Sequence, residues 1–327
     1  MASPPRQKFK TIQDWHNFLQ GKQGLTGQDL FTMRKACYAD IESKRQRPLL
    51  VYSTKFLDAL PAGAPNFIDI SDVDGFTDLV NSIKNEKKID ILLHSPGGRP
   101  DATERIVEIL RNKFDEVGFL IPHSAYSAAT MLALSGNEIL LHQSATLGPI
   151  DPQINGIPAR SIKRGFDKAK ERIRKEGPES LPAYIPLIEK YTLDLLELCD
   201  DSEKLSKTLV TEWLKRYMFK GQKNVSQKIR RAVEYFSNYD QHLLHARPLS
   251  LTKLEKFGLN IRFADADLQE LLWEAHILLN GFFSSTPFVK LYENSRDLSW
   301  GKQIQTVNFG LPLQQILPQP QPAPKPV

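Results

Sequence analysis

Ser127 is the residue whose setting points most directly to chemistry. It opens Ser127-Ala128-Ala129-Thr130-Met131, a small-residue run that reads as a helix start just after an apolar strand, Val117 to Ile121. A hydroxyl at such a bend can attack a peptide or ester carbonyl and carry the acyl group. The first amides of that helix have no intrahelical partners and lie at the positive end of its dipole, so they can receive a developing oxyanion. Upstream, Gly97-Gly98 follows another short strand, Ile89 to His94, and glycine lets peptide N–H groups face a ligand without side-chain obstruction. One donor from each segment makes an oxyanion hole, where loss of one donor costs on the order of 100-fold in rate. Without the diglycine, Ser127 would read as an ordinary helix cap. Ser95 and Ser124 fit turn roles better.

The elements that must position these residues follow from periodicity. After Gly98, Ile106, Val107, Ile109, Leu110 and Phe114 recur at helical spacing, with Asp101 and Glu104 spaced as a capping box. A strand from Glu138 to His142 follows the Ser127 helix and leads to the turn Leu147 to Pro152. Upstream come a strand at Leu49 to Ser53, a Pro- and Ala-rich loop, a strand at Phe67 to Ile70, and a helix carrying Phe76, Leu79, Val80 and Ile83. Short apolar strands alternating with helices predict βαβ units and a largely parallel sheet.

SPGG after a strand, the serine of S-A-A-T-M and then LGPIDPQ together resemble the ClpP/crotonase superfamily. Within it the chain is most similar to SppA-like serine peptidases, and closest to the group named serine dehydrogenase proteinases. That likeness includes the late segment in which His245-Ala246-Arg247-Pro248 precedes a helix and Gly258-Leu259, and it covers most of residues 35 to 275. It implies an α/β ClpP/crotonase-like spiral of βαβ units and an ATP-independent peptidase in which Ser127 attacks while Gly98 and Ala128 hold the oxyanion. It also implies a homo-oligomer acting on a peptide or protein substrate. Gly97, with His94 and His123 at the ends of the two strands bearing the turns, is expected to line the substrate pocket.

Three candidates compete for the base that takes the serine's proton. The resemblance to ClpP suggests Ser127, His245 and Asp151 as a triad, with the histidine and aspartate exchanged between their two places in the chain. The resemblance to SppA suggests a lysine whose charge is lost by desolvation, with Lys163 and Lys168 in the expected window. His142, ending an apolar strand, is third, and a lone histidine there is more often packed than catalytic.

Composition sets outer bounds. The 327 residues are 41% hydrophobic and 25% charged, ordinary for a globular chain with one sizeable core. Cys37 and Cys199 stand far apart without metal-ligand spacing, which suits buried thiols in a reducing compartment. The start of the chain has no apolar core of signal-peptide type, and no run approaches the roughly 18 apolar residues of a spanning helix. The expectation is a cytoplasmic protein with no membrane span. The net charge of +5 is concentrated between residues 160 and 231, where 18 Lys and Arg face 11 Asp and Glu. Interleaved at helical spacing, these read as a solvated face, and no nucleic-acid motif accompanies them. No HExxH, CxxC or Walker-type pattern is present, so no metal or cofactor is expected.

The expected organisation is a helical segment at 1–46, a catalytic domain at 47–265 with a helical insertion at about 160–238, a C-terminal helix and extension at 266–311, and a Pro- and Gln-rich disordered tail at 312–327. The insertion reads as a lid, a substrate-selecting surface or an oligomerisation arm. Two other readings of the chain are a crotonase-type acyl-CoA enzyme, against which the serine speaks, and an inactive scaffold of the same fold.

Overall fold

The computed structural model describes residues 6–304 except 23, 62 and 190. Two helices open it, α1 (Ile12–Gly21) and α2 (Gly27–Arg45). Each starts on a reciprocal capping box, Thr11 with Asp14 and Thr26 with Asp29, which satisfies two of the amides a helix start leaves unpaired. Strand β1 (Leu49–Thr54) is buried along its whole length. Helix α3 (Asp72–Ser82), strand β2 (Lys88–His94), helix α4 (Pro100–Lys113) and strand β3 (Glu116–Ile121) form the predicted alternation. Strand β4 (Ser124–Ala125) leads into α5 (Ala128–Leu134), then come β5 (Glu138–Leu141), β6 (Thr146–Leu147) and a small hairpin of β7 (Gln153–Ile154) and β8 (Ile157–Pro158).

A helical stretch follows: α6 (Ala159–Glu176), α7 (Leu181–Ile188), α8 (Leu193–Trp213), α9 (Ser226–Ser237), α10 (Tyr239–His242) and α11 (Leu251–Leu254). Strand β9 (Ile261–Phe263), helix α12 (Ala266–Ser285) and strands β10 (Phe288–Asn294) and β11 (Ser299–Gln303) complete the described chain. The tail at 312–327 lies outside the described residues, as do 305–311.

The main sheet has the order β11-β10-β1-β2-β3-β5-β9. Pairings from β1 through β9 are parallel, and β10 and β11 add an antiparallel extension at one edge. Because side chains alternate along a strand, β2 feeds two cores. Its Ile89, Ile91 and Leu93 join the cluster containing α3, α4, α5 and α9, and its Leu92 joins the cluster with α1, α2 and α12. On α4 the residues Ile106, Val107 and Leu110 are buried, each such side chain contributing about 1.5–3 kcal/mol.

Four local expectations are corrected. Residues 67–70 form no strand; Ile68 makes a single bridge to Gly98. No capping box starts α4, because Pro100 occupies its first turn and the Asp101 carboxylate pairs with Arg99 of the N-cap at 2.6 Å instead. Strands β10 and β11 lie in the C-terminal extension after the terminal helix, where no strand was expected. The second half of the helical stretch belongs to the main core, through Leu209, Val210, Trp213, Ile229, Val233 and Phe236. Its first half encloses only a minor cluster of Ala159, Ile162 and Cys199. Cys37 and Cys199 are buried free thiols. No helix among the described residues is long and apolar enough to cross a membrane.

Candidate active site

Ser127 is half-buried at the N-cap of α5, with φ 51° and ψ −123°. A side chain at positive φ costs on the order of 1–3 kcal/mol, and such strain concentrates at functional positions. The serine hydroxyl makes no cap bond to the helix it opens. The inert cap therefore fails as an explanation of this residue. Behind it, Thr130 donates its hydroxyl to Ala125 O at 2.7 Å and accepts Gly148 N–H at 3.0 Å, which ties the start of α5 to the Leu147–Asp151 turn.

The diglycine lies directly against this bend. Gly97 has φ 96°, and a Cβ on it would come within 2.4 Å of Tyr126 O, 2.7 Å of Ser127 Cβ and 2.8 Å of Ala128 N. Only glycine permits that approach and that φ. Gly98 is pressed equally hard onto Ile68, whose N–H donates to Gly97 O at 2.7 Å and whose carbonyl accepts Arg99 N–H at 2.8 Å. Gly97 N–H is occupied by Ser95 Oγ at 3.2 Å, the turn role expected of that serine. The amides of Gly98 and Ala128 donate to no acceptor among the described residues. These two N–H groups are the ones expected to form the oxyanion hole.

His245 and Asp151 meet across the helical stretch that separates them in sequence. Nδ1 of His245 lies 3.1 Å from an Asp151 oxygen, with the carboxylate almost fully buried. The approach is off the line a hydrogen bond needs, and neither Asp151 oxygen nor Nδ1 has another partner. Backbone pairing links the two segments near these residues to the strand before the serine. Leu147 and Leu249 exchange hydrogen bonds of 3.2 and 2.9 Å, and Gly148 N–H donates to Ala125 O at 3.2 Å, two residues before Ser127.

The other candidates lie in settings of a different kind. Lys163, on α6, is clamped by the carboxylates of Asp200 and Glu203, the latter at 3.0 Å. Burial alone would lower its pKa, but those two carboxylates hold it above the ordinary lysine value, the opposite of what a lysine base needs. Lys168 is exposed on the same helix, in a groove with Arg172, Tyr184 and Leu187. His142 stacks on Trp273 with ring centroids 5.0 Å apart. His94 and His123, expected to line the pocket, pack instead with His276 of α12, on the face of the sheet opposite α5. The physical reason is the two-residue period of a strand: the residue that ends it can point to either side.

Sequence reasoning missed Thr130, Ile68 and Tyr126, whose hydroxyl lies 2.9 Å from Thr146 Oγ1. Each acts through backbone or hydroxyl contacts that leave no periodic mark.

An uncharacterized protein of Methanocaldococcus jannaschii is 26% identical over 231 residues, 70% of this chain and 71% of that protein. A second uncharacterized protein of that organism is 34% identical over 111 residues, 32% of this chain and 39% of the other. Among solved structures, a mutant of a membrane-bound stomatin-specific protease aligns at 25% identity, covering 33% of this chain and 58% of that one, with a TM-score of 0.26. The model of the ClpP-like SDH-type serine proteinases matches residues 18–272, and with more than half of its length so matched, the chain belongs to that family.

Proposed function

We propose that this chain is an ATP-independent serine peptidase of the SppA and serine dehydrogenase proteinase type, cleaving peptide bonds through an acyl-enzyme on Ser127. The observation that carries the reading is the strained Ser127 backbone set beside two unengaged amides, Gly98 N–H and Ala128 N–H. In the acylation step the Ser127 hydroxyl passes its proton to Nε2 of His245 while Oγ bonds to the scissile carbonyl carbon. The carbonyl oxygen, now an anion, receives the two amides. Collapse breaks the C–N bond, and His245 returns the proton to the leaving amine; water, deprotonated by the same imidazole, then releases the acyl group. Asp151, against Nδ1, orients the ring and stabilises its charged form.

His245 is favoured over Lys163 because the lysine's two carboxylate partners keep it protonated. The reading includes the ClpP/crotonase spiral and a homo-oligomer, for which the exposed Leu181, Ile185, Leu187 and Leu193 of α7 and α8 are supporting features.

A fluorophosphonate probe tests this. Ser127 should be the labelled residue by mass spectrometry. Ser127→Ala should abolish labelling, and His245→Ala should slow it by at least 100-fold. Labelling that survives Ser127→Ala would refute the nucleophile.

A further inference from the structure

We propose that Lys290 is a positioning residue for the oxyanion hole, acting on Gly98 N–H through two successive peptide groups. This rests on the reading of Gly98 as an oxyanion donor. Lys290, on β10, is fully buried, and its ammonium donates to Phe67 O at 2.7 Å. Phe67 C=O belongs to the same peptide as Ile68 N–H, which donates to Gly97 O at 2.7 Å. Gly97 C=O in turn belongs to the same peptide as Gly98 N–H. Ammonium, peptide, peptide and oxyanion site thus form one line of donors and acceptors. A carbonyl that accepts a hydrogen bond makes the N–H of its own peptide a better donor, by about 10–30% per bond.

The cation is held in place by Asp72 at 2.8 and 2.9 Å and by Asp69 at 3.2 Å. Asp72 is itself fully buried and is satisfied by Asp69 N–H at 2.7 Å, Tyr52 OH at 3.2 Å and Tyr292 OH. Burying two charges costs several kcal/mol per ion, and an apolar pair of similar volume often does as well or better for stability. What the ammonium supplies and a methionine would not is the grip on Phe67 O. The fold contains its own control. On the same strand Glu293 pairs with Arg34 at 2.8 Å, equally buried and without contact to residues 67–69 or to the diglycine.

The experiment measures phosphonylation of Ser127 by a fluorophosphonate, separating the maximal rate, kinact, from the half-saturating concentration, KI. In this reaction the Oγ–P bond forms, the P–F bond breaks, fluoride departs and the hydroxyl proton passes to His245. Lys290→Met should lower kinact about three- to fivefold and leave KI unchanged, since only the donor to the developing oxyanion is weakened. Arg34→Met, scaled to its folded fraction by circular dichroism, should keep the wild-type kinact. Asp69→Ala, at a side chain one-third exposed, covers the case in which Lys290→Met does not fold, and should lower kinact about two- to threefold. Wild-type kinact in folded Lys290→Met, or in Asp69→Ala where Lys290→Met does not fold, overturns the proposal, as does an equal loss in Arg34→Met. A wild-type protein that takes no label on Ser127 overturns the nucleophile reading beneath it, which is a distinguishable result.

Discussion

On one face of the sheet β2 runs into Gly97-Gly98 and β3 runs toward Ser127; on the other face the same two strands present His94 and His123 to α12. The first face holds a strained serine and two unengaged amides. The second holds a ring stack in which His123 lies 4.7 Å from His276 and His94 lies 5.3 Å from it, with Phe56, Trp273 and His142 around them. Burial pushes all four imidazoles below the ordinary histidine pKa, His276 to about 3. Among the described residues no cluster of three or more His, Cys, Asp or Glu could hold a metal. Perturbed titration is often taken as a mark of function, yet here the largest imidazole shifts sit on the face that carries the ring stack. Backbone strain and free amides point to the other.

Substitutions that strike one face at a time can break this contrast. Gly97→Ala places a methyl group against Tyr126 O and Ser127 Cβ at a φ that alanine rarely adopts. The two turns must separate, and fluorophosphonate labelling should fall by at least about 100-fold. His94→Phe, only three residues earlier in sequence, should keep labelling within about threefold. A Gly97→Ala protein that labels at the wild-type rate, or a folded His94→Phe protein that does not label, ends the distinction between the faces.

The same contrast marks what sequence could and could not disclose. Ile89 to Leu93 announced a strand because apolar residues on both sides of a parallel strand leave a nearly continuous run, interrupted here only by Asp90, and the spacing of Gly97-Gly98, Ser127 and Asp151 carried most of the candidate site. His94 and His123 were located next to the site in sequence but not assigned to a face, since one residue of register decides that. Strand β10 went unseen because its centre carries Lys290 and Glu293, charges whose burial is intelligible only with Asp72 and Arg34 beside them. Those partners lie far away in sequence. Asp151 and His245 became a pair by resemblance first, and the long helical stretch between them hides that contact from any local pattern.

A second way to sharpen the contrast uses pH. The imidazoles of the packing face are neutral in the fold and protonate more readily in the unfolded chain, whose histidines titrate near 6.5. Their contribution is therefore complete above about pH 6.5 and is lost as pH falls toward their folded values, near 3 for His276. For one such group the loss between pH 7 and pH 5 is about 2 kcal/mol. Urea unfolding midpoints should drop over that interval, and His276→Phe should flatten the decline. A wild-type midpoint independent of pH between 7 and 5 would show that these rings are hydrated, and the second face would lose its character as a dry packing surface.

The smallest effect comes from outside both faces. Lys163 bridges α6 to Asp200 and Glu203 on α8, and its side chain is one-fifth exposed. A partly exposed ion pair contributes about 1 kcal/mol or less, so Lys163→Met should lower thermal stability slightly and leave fluorophosphonate labelling within about twofold. His245→Ala, by contrast, should slow labelling with little change in stability, because its ring forms no hydrogen bond among the described residues. The two variants divide the work between a group that holds helices together and one that moves a proton. If Lys163→Met silenced Ser127 while His245→Ala did not, the proton would leave by the helical stretch, and α6 would have to be counted as part of the reactive face.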